Sequence, residues 1–435
     1  MTFSNYRTFP LTFSDPDYCV GIDQGALSLA YRVIPSPGRQ RVQTGRFLVD
    51  PDIDLNQYEY EAVFDWLEIG FRTRDVHQSR NVQSYAAREL AKIGSKSTIF
   101  ASGMARKRGY LGQNHVLRVF DPNPHEIQAI VAALDRKYDI FPASGEARFT
   151  VPGFELSIDI YPKRNVGYMD EAIFVRRVRM TQLIRNHVYV SPAFFVEEID
   201  RPRIESLRGS FPLVEPVKNA HRHVVATATK LGVERRELRG LDPKAHNKPD
   251  IDGTFYVGRR NNEIHFRLQD KISDRRSGHS AEQLKPNETR TRIEVTCMKT
   301  DEVTIGGPAS IGINSIEDFF GFRFDKFLSA SNNGAEKAEN LRKILFDFHL
   351  PTISADGKSE NGWNEDELEI FGKTGCTGLE CHQRAKQVIM KAEGVIVGAE
   401  ARFDTKNGKG YRLAYRGLNE RVQKRLKKLS SDWGA

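Results

Sequence analysis

The sequence predicts an α+β fold, with antiparallel sheets covered by helices on one face and a smaller helix–turn–helix plus hairpin module after them. Three observations carry this. Segments that alternate between apolar and polar residues interleave with segments of helical spacing, in the order strand, helix, strand, helix, strand, repeated loosely twice. Alternating segments then follow one another closely at Thr254–Val257, Ile264–Lys271 and Thr291–Thr296. Finally, a stretch rich in Pro, Gly, Ser and Asn (residues 351–364) separates this body from a basic C-terminal region.

Taken in order, residues 1–58 are Pro-rich and read as an extended arm with one strand at Leu27–Val33. Ala62–Phe71 (AVFDWLEIGF) has the aromatic and branched content of a strand. Val82–Ile93 is helical, with Ser79 and Asn81 as caps. His115–Phe120 is a short strand. Asp121-Pro122-Asn123-Pro124 ends it and opens a helix whose Ile127, Ile130, Val131, Leu134 and Tyr138 share one face. Phe154–Tyr161 (FELSIDIY) alternates strictly and is a strand; Glu171–Arg185 is a basic helix. Val224–Gly240 reads either as a helix or as a strand plus a helix. The polar segment Gly258–Glu263 fits a hairpin turn, and Ser273–Glu288 a loop. Ser315–Phe322 and Glu336–Phe348 are helical. The expected division is an arm (1–58), a central domain (59–350), a linker (351–364) and a C-terminal module (365–435).

Strand parity assigns faces, because successive side chains point opposite ways. Phe154, Leu156, Ile158 and Ile160 go to the core, with Glu155, Ser157, Asp159 and Tyr161 opposite. Thr291, Ile293, Val295 and Cys297 go in, with Arg292, Glu294 and Thr296 opposite. Ile264, Phe266 and Leu268 are core, with His265, Arg267 and Gln269 opposite. Asp65 shares parity with the apolar Leu67 and Ile69, and Glu68 with Trp66. The outer surface therefore mixes Glu68, Asp159 and Glu294 with Arg267, Arg292 and His265. Such carboxylates are hard ligands suited to Mg²⁺ or Mn²⁺; ordinary cross-strand ion pairs are the other reading.

With 435 residues, 39% hydrophobic and 28% charged, the chain is globular and long enough for several domains. No apolar run approaches the ~20 residues that span a bilayer. The N-terminal residues lack a secretion pattern, and four cysteines cannot scaffold disulfides, so a reducing, cytoplasmic setting is expected. Of a net charge of +8, the stretch Arg402–Lys428 alone holds ten basic residues against two acidic ones. A concentrated cationic segment on a near-neutral body is the footprint of a polyanion binder or of a solvated basic tail.

In the C-terminal module, Glu365–Phe371 and Gly378–Ala392 read as helices, followed by a hairpin turning at Asn407-Gly408. This is the layout of a winged helix. Gln383, Arg384 and Lys386 would reach bases or phosphates; Lys406, Lys409 and Arg412 would hold phosphates from the wing. Glu420–Leu429 would be a basic helix lying along the duplex. Cys376, Cys381 and His382 lack a second ligand pair for zinc, and His221-Arg222-His223 reads as a basic cluster.

The run DGTFYVGRRNNEIHFRLQDK (Asp252–Lys271), followed by TRTRIEVT (Thr289–Thr296), resembles the rolling-circle plasmid replication initiators, the replication initiation factor family related to HUH endonucleases. Asp65-Trp66-Leu67 is similar to a strand near the start of that family's catalytic domain. The sequence departs from the pattern after Gly258-Arg259-Arg260, where Asn261 stands in place of the usual serine, and at Gln269, where an aromatic is usual. The resemblance implies a doubled ferredoxin-like sheet that nicks one origin strand through a tyrosine, leaving a 5′ phosphotyrosine. It implies Tyr256 as nucleophile, with Tyr85, Tyr161 and Tyr168 as fallbacks, and Arg267 and Lys271 at the phosphate. Asp65 and Glu294 would be the leading ligands of Mg²⁺ or Mn²⁺, with Asp159 and Glu68 secondary. Implied partners are duplex origin DNA, the nicked single strand, a helicase and a second copy of the chain. A catalytically silent DNA-binding regulator or partition-type protein, or a relaxase of a mobile element, would be the alternative.

Overall fold

The computed structural model describes residues 6–11, 22, 27–35, 46–103, 109–142, 145–164, 170–187, 203–206, 210–216, 223–229, 238–241, 253–257, 264–274, 282–299, 307–325, 349–350, 352–354, 413–414 and 416–434. Helices and antiparallel sheets make an α+β architecture. Strands β1 (Tyr6–Pro10), β2 (Ser28–Pro35) and β3 (Arg46–Pro51) form an antiparallel sheet completed by Thr352–Ser354. The span read as an arm thus holds three paired strands among its described residues, and part of the span read as a linker is an edge strand of their sheet. Leu27 and Leu29 join the main core, which a detached arm could not do.

The central sheet has eight strands. They are β4 (Tyr58–Gln78), β5 (Ile99–Gly103), β6 (Leu111–Phe120), β7 (Phe149–Pro162), β8 (Arg203–Ser206), β12 (Gly253–Val257), β13 (Ile264–Lys271) and β16 (Arg290–Met298). Between β8 and β12, a separate antiparallel sheet contains β9 (Ser210–Pro216), β10 (His223–Thr229) and β11 (Leu238–Leu241). Val224–Gly240 therefore begins and ends in strands, with residues 230–237 outside the described residues. The expected loop after β13 holds a short pair, β14 (Ser273–Asp274) with β15 (Glu282–Gln283).

The spatial order of the central sheet is β5-β6-β4-β7-β16-β13-β12-β8. Its first half runs β4, helix, β5, β6, helix, β7, and folds so that β4 lies between β6 and β7. The second half corrects the expectation of a doubled unit. There β8, β12, β13 and β16 lie side by side in chain order as an antiparallel meander. The short connections from β12 to β13 and β13 to β16 make neighbours of successive strands and leave no crossover helix between them.

Among the described residues the helices share one face of this sheet. In α1 (Ser79–Lys92), Val82, Ala86 and Leu90 recur at the spacing of one buried stripe. Ser79 is its first helical residue rather than a cap, and its N–H donates to the Tyr110 carbonyl at 2.8 Å. In α2 (Pro124–Lys137), Asn123 and Glu126 form a reciprocal capping box ahead of buried Ile127, Ile130, Ala133 and Leu134. α3 (Asp170–His187) packs on β7, β13 and β16, where buried Arg177 meets Asp270 at 2.5 Å. The short α4 (Ile316–Phe320) lies on β7.

α5 (Arg416–Asp432) lies on β4 and buries Leu418, Val422, Leu426 and Leu429 in the same core, with Trp433 just beyond it. The basic C-terminal helix therefore belongs to the central domain, while Lys424, Lys427 and Lys428 stay exposed. Residues 355–412, with the expected winged-helix candidates Gln383, Arg384, Lys386, Lys406, Lys409 and Arg412, lie outside the described residues, as does Glu336–Phe348. Among the described residues no helix is long and apolar enough to cross a membrane.

Candidate metal centre on the polar sheet face

The sheet register places polar side chains in rows on the face away from the helices. One row runs Tyr256, Arg267, Glu294, Ser157 across β12, β13, β16 and β7. The next holds Gln269, Arg292 and Asp159. Parity predicted this face, except at Asp65. Between Phe64 and Trp66 the β4–β7 register slips by one residue, and the extra residue is Asp65. A bulge of this kind re-aims a side chain. It turns Asp65 away from Leu67 and Ile69 and onto the polar face, where its Oδ2 accepts from Ser157 Oγ at 3.1 Å. The bulge is tied down from β6: Asp121, in a left-handed conformation (φ 47°), donates its N–H to the Asp65 carbonyl at 2.8 Å. Aspartate tolerates that conformation better than most residues.

Asp65, Glu155 and Glu294 each offer a carboxylate oxygen within 4.8 Å of the others. Oxygens that share a Mg²⁺ or Mn²⁺ ion at ~2.1 Å each cannot lie much further apart than this. The donor set is hard and anionic, so it fits such a cation. Glu294 is 1% exposed and Glu155 9%. Burial pushes the Asp65 carboxyl up to about 8; Arg292 opposes this, and the charges of Glu294, Glu155 and Asp159 add to it. Burial and then Glu294 also raise Glu155, against Arg267. Glu294 is held low in spite of burial, by Arg267 and then Arg292.

Two guanidiniums frame the acids. Arg267 donates to Glu294 and lies 4.0 Å from Glu155. Burial alone would lower it, but Glu294, Glu155 and, less strongly, Tyr256 hold it above its ordinary value. Arg292 donates to both Asp65 oxygens, at 2.9 and 2.8 Å, and to Asp159.

The structure thus brings together Asp65 and Glu294 of the four expected ligands, and adds Glu155. Asp159 instead accepts from Arg292, lies 2.9 Å from Arg290 and receives the Tyr161 hydroxyl at 3.3 Å. Glu68 is held by Arg118 at 2.6 Å. Lys271 turns to Asp274 at 3.2 Å rather than to the acids. Tyr256, 5% exposed, sits opposite Arg267 on the acid face. Tyr85 lies in the helix layer and donates to the Ala133 carbonyl at 3.2 Å, which separates it from the acids by the sheet. Burial, then the Asp159 charge, raises the Tyr161 phenol. Tyr168 lies outside the described residues.

Glu155 was readable in principle. It shares parity with Asp159 along FELSIDIY, and the face argument that admitted Asp159 applied equally to it. No protein-family model matches this chain, and no curated protein matches it.

Proposed function

We propose that the protein is a replication initiator that binds an origin and nicks one DNA strand through a tyrosine, with a divalent cation held by Asp65, Glu155 and Glu294. The observation that carries this reading is the convergence of those three carboxylates on the face where Tyr256 stands opposite Arg267. A protein that only docks DNA gains nothing from gathering buried acids where phosphates would lie, because like charges repel there.

In this reading Tyr256 Oη attacks the scissile phosphorus after losing its proton to solvent. The new O–P bond forms as the bond to the 3′ oxygen breaks; that oxygen leaves and takes up a proton. The product is a 5′ phosphotyrosine that conserves the phosphodiester for rejoining. Arg267 and Arg292 orient the phosphate and oppose its charge. When bound, the cation would polarise the phosphoryl oxygens as a Lewis acid. The β-α-β-β-α-β order of the first half of the sheet is of ferredoxin-like type and supports the resemblance. Of the expected module, residues 365–412 would supply origin recognition as a winged helix, with a helicase and a second copy of the chain as further partners in the cytoplasm.

One observation favours a silent DNA-binding regulator instead: Glu294 and Asp65 each already meet an arginine, which closes the network without a cation. Supercoiled DNA carrying the cognate origin, incubated with the protein and Mn²⁺ or Mg²⁺, separates the two. The initiator reading expects open circles carrying the protein on a 5′ end, and Tyr256→Phe abolishes the adduct. Nicking that survives Tyr256→Phe but not Tyr161→Phe moves the nucleophile. No nicking on any cognate DNA leaves the regulator.

A further inference from the structure

The first half of β4 has a different neighbour from the second. Pairing with β6 begins at Trp66, and ahead of it α5 lies against the strand. Between the two is a cavity of about 490 Å³, within the ~300–1,000 Å³ range of ligand sites. One wall is β4, which presents Glu59 and Glu61; the other is α5, which presents Arg425, Lys428 and, one turn on, Asp432. Tyr161 of β7, opposite Glu59 in register, lines it as well. Glu59, Glu61, Lys428 and Asp432 are exposed, and Arg425 is half-buried.

Among the described residues no ion pair joins Arg425 or Lys428 to a carboxylate, so the two walls hold opposite charges apart. An occupant that satisfies both walls must carry both signs. The acids do not form a cation site, since among the described residues only Asp65, Glu155 and Glu294 come close enough to share an ion. A nucleic-acid backbone is poorly matched too, because its phosphates would meet three carboxylates beside two cations.

Spacing names the occupant. Glu59 and Glu61, two apart on a strand, lie ~6.6 Å apart along it, which is the repeat of alternate residues in any extended chain. An extended peptide also sends successive side chains to opposite sides. One in which basic and acidic residues alternate turns every basic side chain toward Glu59 and Glu61, and every acidic one toward Arg425 and Lys428. These two cations stand only ~4.5 Å apart along the helix, near enough for both to reach one carboxylate.

We propose that the cleft between β4 and α5 docks an extended segment of a partner protein in which Lys or Arg alternates with Asp or Glu. The docking is independent of the nicking reading, since none of these charged side chains is a ligand of the candidate metal centre.

The test is fluorescence anisotropy with the labelled peptide KEKEKE, its isomer KKKEEE and an oligothymidylate, at low ionic strength, where such contacts are strongest. KEKEKE binds, and KKKEEE, equal in charge and composition, binds about tenfold more weakly. Glu61→Lys and Lys428→Glu each weaken KEKEKE by about tenfold. The quadruple variant Glu59→Lys/Glu61→Lys/Arg425→Glu/Lys428→Glu reverses both walls and recovers the affinity, because an alternating peptide slipped by one residue exchanges its two sides. That recovery rules out misfolding as the cause of the single losses. Equal binding of the two peptides overturns the proposal, as does affinity indifferent to both single reversals. A quadruple variant that is folded by circular dichroism yet fails to recover overturns it too. So does an oligothymidylate that binds more tightly than KEKEKE and is lost with Lys428→Glu, which would assign the cavity to a polyanion.

Discussion

The two faces of β7 are equally hidden from water and chemically opposite. Ile158 and Ile160 are fully buried on one side, while Ser157 and Asp159 are buried to within 1% on the other. The apolar face packs under helices, and each buried aliphatic side chain there contributes on the order of 1.5–3 kcal/mol. The polar face carries carboxylates that must lose water, and guanidiniums that at best restore what was lost. An ion-pair face of this kind adds little stability over a hydrophobic one of the same shape. The comparison teaches that one side of the sheet holds the molecule together while the other gathers ionisable groups at little gain in stability.

The largest expected effect breaks the polar face. Glu294→Ala leaves Arg267 and Arg292 buried without their shared partner, and urea unfolding should show a loss of about 3–5 kcal/mol. The double substitution Arg267→Met/Glu294→Leu should recover most of that loss while Mn²⁺ binding, followed by calorimetry, disappears. A double variant as unstable as the single one would make the network a structural brace rather than a site.

The apolar face gives the converse. Ile158→Ala opens a cavity under the helices and should cost about 2–4 kcal/mol with Mn²⁺ affinity unchanged. Altered metal affinity in that variant would mean that the faces are coupled.

The smallest effect concerns the one titratable exception on the helix side of β6. His115 is fully buried and stacks on Phe71 at 5.7 Å. Burial lowers its pKa from 6.5 to about 4; the Gly112 backbone resists the shift and His77 assists it. A histidine depressed on folding binds its proton more readily when unfolded. Its contribution is therefore complete above pH 6.5 and is lost as the pH falls through about 4. Parent protein should lose up to about 3 kcal/mol across this window. His115→Phe should flatten that slope in pH-dependent thermal melts, and an unchanged slope would assign it to other groups.

Much of this architecture was legible in the residues. Alternation in FELSIDIY and TRIEVT assigned both faces of β7 and β16, because a strand buried on two sides of opposite chemistry writes its period plainly. Asp121-Pro122-Asn123-Pro124 announced α2 through proline and capping chemistry. Asp65 was the instructive failure. A bulge inserts one residue without any sequence mark, so parity sent this acid to the wrong side, whereas the resemblance grouped it with Glu294, beside which it lies. Of the three strands in residues 6–51, the one at Leu27–Val33 was read and is β2, whereas β1 and β3 were missed because short pairings stabilised by distant partners leave little local pattern. The meander was hidden for a related reason, since strand order depends on contacts that single segments do not encode.

Trp433 sets its ring against Phe64 of β4 and Phe319 of α4, with centroids 5.1 and 5.3 Å apart. The first strand of the central sheet thus waits for a helix that emerges from the ribosome far later. Until α5 arrives, Phe64, Phe319 and Phe320 stand without their Trp433 cover, as a sticky surface for chaperones and proteases. A chain cut short before Arg416 would therefore be cleared as misfolded instead of persisting as a working fragment.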